Sequence, residues 1–151
     1  MATSHLVAHP APDATAVLAE LRAGRLDAAG LIAQHLERLA AVQPTINAAV
    51  QVFDEAARAA AASPRPGVLS GLPVSIKETF DLAGCRITAG SRVMTPIESA
   101  GDAVTVQRLK DAGAIVLARG NVPEFAMAAE TENPRYGRSA NPLAPDRTCG
   151  G

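Results

Sequence analysis

Apolar residues recur at three- and four-residue steps through the first part of the chain. Asp13 stands before ATAVLAELRAG, where Val17, Leu18 and Leu21 share one face and Gly24 ends the run. This pattern predicts a helix capped by Asp13 and stopped at the glycine. Asp27 opens a second such stretch. Leu31, Ile32, Leu36 and Leu39 form its stripe, with His35 among them, and the helix is expected to end before Pro44. His35 reads best as a packed or half-exposed core residue. NAAVQVF, 47–53, reads as a short strand. Asp54 is then expected to cap the alanine-rich helix EAARAAAA, and SPRPG forms a rigid connection. Residues 13–62 concentrate no reactive groups and read as helical packaging.

The period changes at Gly71. In GLPVSIKET, Val74 and Ile76 alternate with Ser75 and Lys77, which predicts a strand with Lys77 at its end, opposite the two aliphatics. Asp102 is expected to cap AVTVQRLKDAG, closed by Gly113, and AIVLA, 114–118, reads as a buried strand. Strand, helix and strand in this order predict a parallel pair. Asn121 then falls at the carboxyl end of the second strand, where open α/β sheets place ligands. A short helix is expected after Pro123. Residues 131–151 are rich in Pro, Gly, Asn and Ser and read as a long irregular segment.

Composition narrows the function classes. The chain has 151 residues, 48% of them apolar, and a formal net charge of −1. That length suits one domain with a real core. The charge balance gives no basic footprint for nucleic acid, and 3% aromatic content gives little to stack bases on. Cys85 and Cys149 are too few for a disulfide scaffold and suggest free thiols in a reducing compartment. His5, His9 and His35 make no zinc-ligand spacing. No signal peptide or bilayer-spanning run is seen, so the expected location is cytoplasmic, with no membrane partner. Residues 1–12 are expected to be a flexible N-terminus.

Three places can carry chemistry. Lys77, at the end of a buried strand, is either solvated or paired with Glu78 or Asp81, or is held neutral as a base. Asn121 and Glu124, in NVPE, either cap a helix or shape a site. Cys149 before Gly150 and Gly151 is either a free thiol or a nucleophile beside backbone donors, with no nearby histidine to activate it. No phosphate-binding glycine loop or hydrolase elbow motif occurs.

Taken together, GLPVSIKET, DAVTVQRLKDAGAIVLARGN, VPEFA, NPRYGRSANP and the closing GG resemble the amidase signature family. The resemblance runs from about Ser70 to Gly151, and the two front helices resemble that family's N-terminal helices more weakly. It implies an α/β/α fold with a mixed sheet, of which this chain holds only the N-terminal part. The expected organisation is a partial domain over 13–151, with 13–62 as packaging and 71–151 bearing the motifs. The resemblance also implies hydrolysis of an amide bond by a Ser, cis-Ser, Lys triad. Lys77 stands at the lysine position and would relay a proton through the bridging serine. Asn121, Glu124, Tyr136, Gly137, Asn141 and Pro142 match positions that shape the site without acting as catalysts. No metal or organic cofactor is implied. The partner is a small-molecule amide substrate, and the oligomeric state is not legible.

The departures matter as well. The signature normally continues GG with two serines and further glycines, so the bridging serine, the nucleophile and the oxyanion segment would follow Gly151. Arg119-Gly120 replaces the family's usual Lys-Thr or similar pair. Ser75, Ser91 and Ser139 stand in none of the family's serine positions, and Ser75 is assigned only a supporting role beside Lys77. Three readings follow: a small-amide amidase, the A-subunit of a tRNA-dependent glutamine amidotransferase, or an inactive truncated product. That A-subunit usually carries Asp where this chain has Pro123, which favours the first. The isolated chain is expected to be inactive and poorly stable.

Overall fold

The computed structural model describes residues 12–151, so the expected flexible N-terminus, with His5 and His9, lies almost wholly outside the described residues. The first helix, α1 (Ala14–Arg22), begins where Asp13 accepts the backbone N–H of Ala16. The second, α2 (Ala28–Ile46), begins in the same way, with Asp27 accepting from Gly30. Both caps satisfy donors that a helix start leaves open.

Two of the expected boundaries move. Helix α2 runs through Pro44 and ends at Asn47, which takes the left-handed conformation with φ 46°. Pro44 lacks the N–H that would bond the Ala40 carbonyl, but its fixed φ is compatible with the helical turn. Gln43 also anchors the exit, exchanging hydrogen bonds with the N–H and C=O of Ala49. The following strand, β1, is accordingly shorter than expected, Ala49–Val52. Asp54 does not cap the next helix, α3 (Asp54–Ala62). Phe53 holds that position with no side-chain bond, and Asp54 pairs instead with Arg58 one turn on.

The strand predicted around Lys77 is β2 (Pro73–Lys77). Two short strands, β3 (Arg86–Ile87) and β4 (Ile97–Glu98), then pair antiparallel. Helix α4 (Val104–Asp111) leads to β5 (Ile115–Gly120). The main sheet has the order β1-β5-β2, with β1 antiparallel and β2 parallel to β5. The sheet is therefore mixed, and the expected parallel pair across α4 is present. A one-residue irregularity interrupts the β2–β5 register. Val74 pairs with Val116, but Ser75 pairs with Ala118, so Leu117 is the extra residue.

Three apolar clusters hold these elements. Ile32 and Leu36 of α2 meet Ala57 and Ala61 of α3 and Ile115, Leu117 and Ala118 of β5. Ile76, Leu82, Cys85 and Val106 form a second cluster, and Val17, Leu31 and Leu72 a third. Fully burying one such aliphatic side chain contributes about 1.5–3 kcal/mol.

Asp102 is not the cap of α4; Ala103 is, without a side-chain bond. Asp102 instead accepts the N–H of Ala83 and pairs with Lys110 at 2.6 Å, tying the loop before α4 to its last turn. Burial pushes this carboxyl up. The hydrogen bonds from Lys110 and Ala83 and the charge of Lys110 outweigh it and hold the pKa below its ordinary value. A carboxyl depressed in the folded state stabilises above the unfolded range, about pH 4, and loses that contribution as pH falls through its lowered value. Asp102→Asn is therefore expected to lower the unfolding midpoint at neutral pH, with a difference from the unsubstituted chain that shrinks below about pH 4. Urea unfolding at several pH values measures it, and a pH-independent difference contradicts it.

Gly113 links α4 to β5 with φ +93°, and a Cβ there would lie 2.5 Å from the Arg65 carbonyl oxygen and 2.8 Å from Ser70 Cα. Both neighbours are backbone. Gly113→Ala is expected to destabilise by about 2–3 kcal/mol. A denaturation midpoint unchanged from the parent chain contradicts this.

Candidate functional site

Lys77 occupies the last position of β2, where its ladder partner is Gly120. Alternation along the strand turns Ile76 and Glu78 to one face, and both are buried, at 4% and 0% exposure. Ser75, exposed, and Lys77, half-buried, take the other face. This is the disposition read from the sequence. Neither Glu78 nor Asp81 pairs with Lys77. Glu78 faces Arg119, and Asp81 accepts a hydrogen bond from Ser99 Oγ at 2.7 Å. Among the described residues, no hydrogen bond or ion pair engages the Lys77 amine.

The backbone around Lys77 is tightly fixed. Its carbonyl accepts from Phe80 N–H, and Glu78 N–H donates to the Gly120 carbonyl, each at 3.0 Å. Arg119 Nη2 donates to the Glu78 carbonyl at 3.1 Å. The two strand ends are thus stitched together on both sides of the lysine.

Beneath them lies an ion pair that sequence reasoning missed. Glu78 Oε1 accepts the N–H and hydroxyl of Thr88, at 2.7 and 2.8 Å, and Arg119 Nη2 stands 3.5 Å away. Thr88 Oγ1 in turn shares a hydrogen bond with the Tyr136 hydroxyl. Glu78 Oε2 and Arg119 Nε are buried without a partner among the described residues. A signal existed: an arginine inside the aliphatic run IVLARG requires a buried acceptor.

Asn121 does not cap a helix. Pro123 precedes a single 3-10 turn, Glu124–Ala126. Asn121, buried, donates to Gly137 O and Ser139 Oγ and accepts from Val122 N and Asn133 Nδ2. Asn133 closes the group by receiving the N–H of Arg135 and Tyr136. This network fastens the irregular segment to the end of β5. Tyr136 and Gly137 lie within it; Glu124 is half-buried on the turn, and Asn141 shapes a separate bend by accepting from Leu143 N.

The serines are committed elsewhere. Ser139 Oγ donates to Asn47 O at 2.6 Å, and buried Ser91 Oγ accepts from Val93 N. Cys149 is exposed and its thiol reaches only the adjacent Gly150 carbonyl. Gly150 is held by Thr131, whose hydroxyl donates to its carbonyl. No helix among the described residues is long and apolar enough to cross a membrane.

A mixed α/β unit with a lysine fixed at a strand end is the architecture that known proteins share with this chain. The model of the Amidase family matches residues 30–151, and the chain belongs to the amidase signature family. Indoleacetamide hydrolase of Bradyrhizobium diazoefficiens is 38% identical over 141 residues, covering 88% of this chain and 27% of that protein. The glutamyl-tRNA(Gln) amidotransferase A-subunit of Rhodopirellula baltica is 39% identical over 146 residues, covering 91% and 29%. The solved structure of 6-aminohexanoate cyclic dimer hydrolase superposes with a TM-score of 0.86 at 30% identity, covering 93% of this chain and 29% of that one. The chain therefore spans less than a third of the length of these relatives.

Proposed function

We propose that this chain supplies the lysine of an amide-hydrolysing site, with Lys77 as the base that moves a proton between a nucleophilic serine and the leaving amine. The observation that carries the reading is the position of Lys77. It is half-buried at the end of β2, on the face away from Glu78, with no carboxylate engaging it among the described residues. An amine so placed, once neutral, accepts a proton, and the stitched backbone around it preserves its orientation. The serines present in this chain are occupied or lie on other elements, apart from Ser75 two residues before Lys77. The bridging serine, the nucleophile and the oxyanion donors are accordingly assigned to sequence following Gly151.

A small-amide hydrolase is favoured over an amidotransferase component because Pro123 stands where that component usually has Asp. The amidotransferase relative at 39% identity keeps the second reading in play. Two measurements test the proposal. An in-frame continuation of the coding DNA is expected to place two serines directly after the paired glycines; a continuation without them removes the mechanism. The extended protein is expected to release ammonia from indole-3-acetamide without tRNA or a companion protein. Release that requires glutamine, charged tRNA and a companion protein reverses the preference. The 151-residue polypeptide by itself is expected to hydrolyse neither, and turnover by it that disappears in Lys77→Ala contradicts the assignment of the nucleophile.

A further inference from the structure

On the face of the sheet away from Lys77, a cavity of about 320 Å³ opens between β1, β3 and the segment around Tyr136. It falls within the size range of small-molecule sites, about 300–1,000 Å³. Its polar lining comes from Gln51, Arg86, Thr88, Arg119, Arg135 and Tyr136, and no carboxylate lines it.

We propose that this cavity binds a small oxyanion, a phosphate or carboxylate group. The charge balance points there first. Arg119 has a buried counter-charge in Glu78, but Arg86 and Arg135 have no carboxylate partner among the described residues. The cavity wall therefore carries an excess of two positive charges, in a concave site where low-dielectric walls focus the field. Geometry points the same way. Arg119 is 2% exposed and rigid, held by the carbonyls of Arg86 and Glu78, and its Nε is left without a partner. Arg86 and Arg135 are exposed, Arg135 reaching the Ser91 carbonyl at 3.5 Å, so one buried guanidinium and two exposed ones line the same space. Thr88 and Tyr136 add hydroxyls, already linked at 2.9 Å. Guanidinium groups match oxyanions by paired, charge-assisted hydrogen bonds. The site lies on the opposite face from Lys77, and the inference does not rest on the amidase reading.

The extended protein is titrated in a calorimeter with inorganic phosphate, with succinate, and with sodium chloride at matched ionic strength. Saturable heat is expected with phosphate or succinate, with a dissociation constant on the order of millimolar. Which of the two acts identifies the source of the oxyanion. The double variant Arg86→Gln/Arg135→Gln alters only exposed side chains, so its circular dichroism is expected to match the parent. Its binding is expected to weaken about tenfold or more. A response that follows ionic strength alone, or one unchanged in the double variant, overturns the proposal.

Discussion

Lys77→Ala in the extended enzyme is expected to lower kcat on a simple amide by roughly 10²–10⁴-fold, the range for removing a positioned general base. KM is expected to change little, since the lost amine acts on the proton in flight and not on the bound amide. The fold is expected to survive. Lys77 is half-buried and its amine makes no ion pair or hydrogen bond among the described residues, while the backbone bonds from Phe80 to its carbonyl and from Glu78 to Gly120 are untouched by the substitution. Steady-state kinetics and a thermal melt, run together, separate the two effects. A variant that keeps near-normal turnover shows that Lys77 is not the base. A variant that loses turnover together with its melting transition shows that the residue is structural.

The second large effect is on stability. Arg119→Ala is expected to cost about 3–5 kcal/mol, because it strands the Glu78 carboxylate at a site with 0% exposure. For a chain of this size that corresponds to a fall in Tm of roughly 6–20 °C. The same loss is expected from Glu78→Ala, which strands the guanidinium. The pair itself is a different matter. At 3.5 Å, with one oxygen and one nitrogen unpartnered, it recovers its desolvation cost incompletely. Replacing both with Met is therefore expected to restore most of what either single change removes. Thermal unfolding of the two single variants and the double one measures this. Single variants within about 1 kcal/mol of the parent, the scale of an exposed pair, contradict it.

These two residues also mark how far the sequence could be read. Lys77 was legible because period-two alternation over Val74 to Lys77 needs only neighbours in sequence. The parallel pairing of β2 with β5 was legible for a similar reason, since strand, helix and strand admit few arrangements. Asp13 and Asp27 announced their helices, each being followed by a strongly periodic run. Asp54 and Asp102 carried the same signal and were claimed by Arg58 and by Lys110 with Ala83, competitors that only the folded chain brings near. Pro44 reads as a stop, but its φ fits the last turn and Gln43, bonded to Ala49, secures the exit. The strands β3 and β4, two residues each, leave no periodicity to detect. The Glu78–Arg119 pair spans 41 positions, and the basic cavity gathers residues from Val50 to Tyr136. Within the candidate site, the lysine was visible and its supporting shell was not. Membership of the family rests on motif order as much as on any single element, which is why it was legible before the geometry was.

The extra residue in β5 has a consequence for where positive charge can sit. Had the ladder continued in phase from Val74 and Val116, Lys77 would stand beside Arg119, two cations abreast on one face of neighbouring strands. Like charges placed side by side in a sheet are unfavourable, and each would raise the cost of keeping the other charged. The one-residue slip at Leu117 sets Lys77 beside Gly120, which has no side chain, and sends Arg119 through to the far side to meet Glu78. The irregularity thus works as an insulator between a structural cation and the amine proposed to shuttle protons.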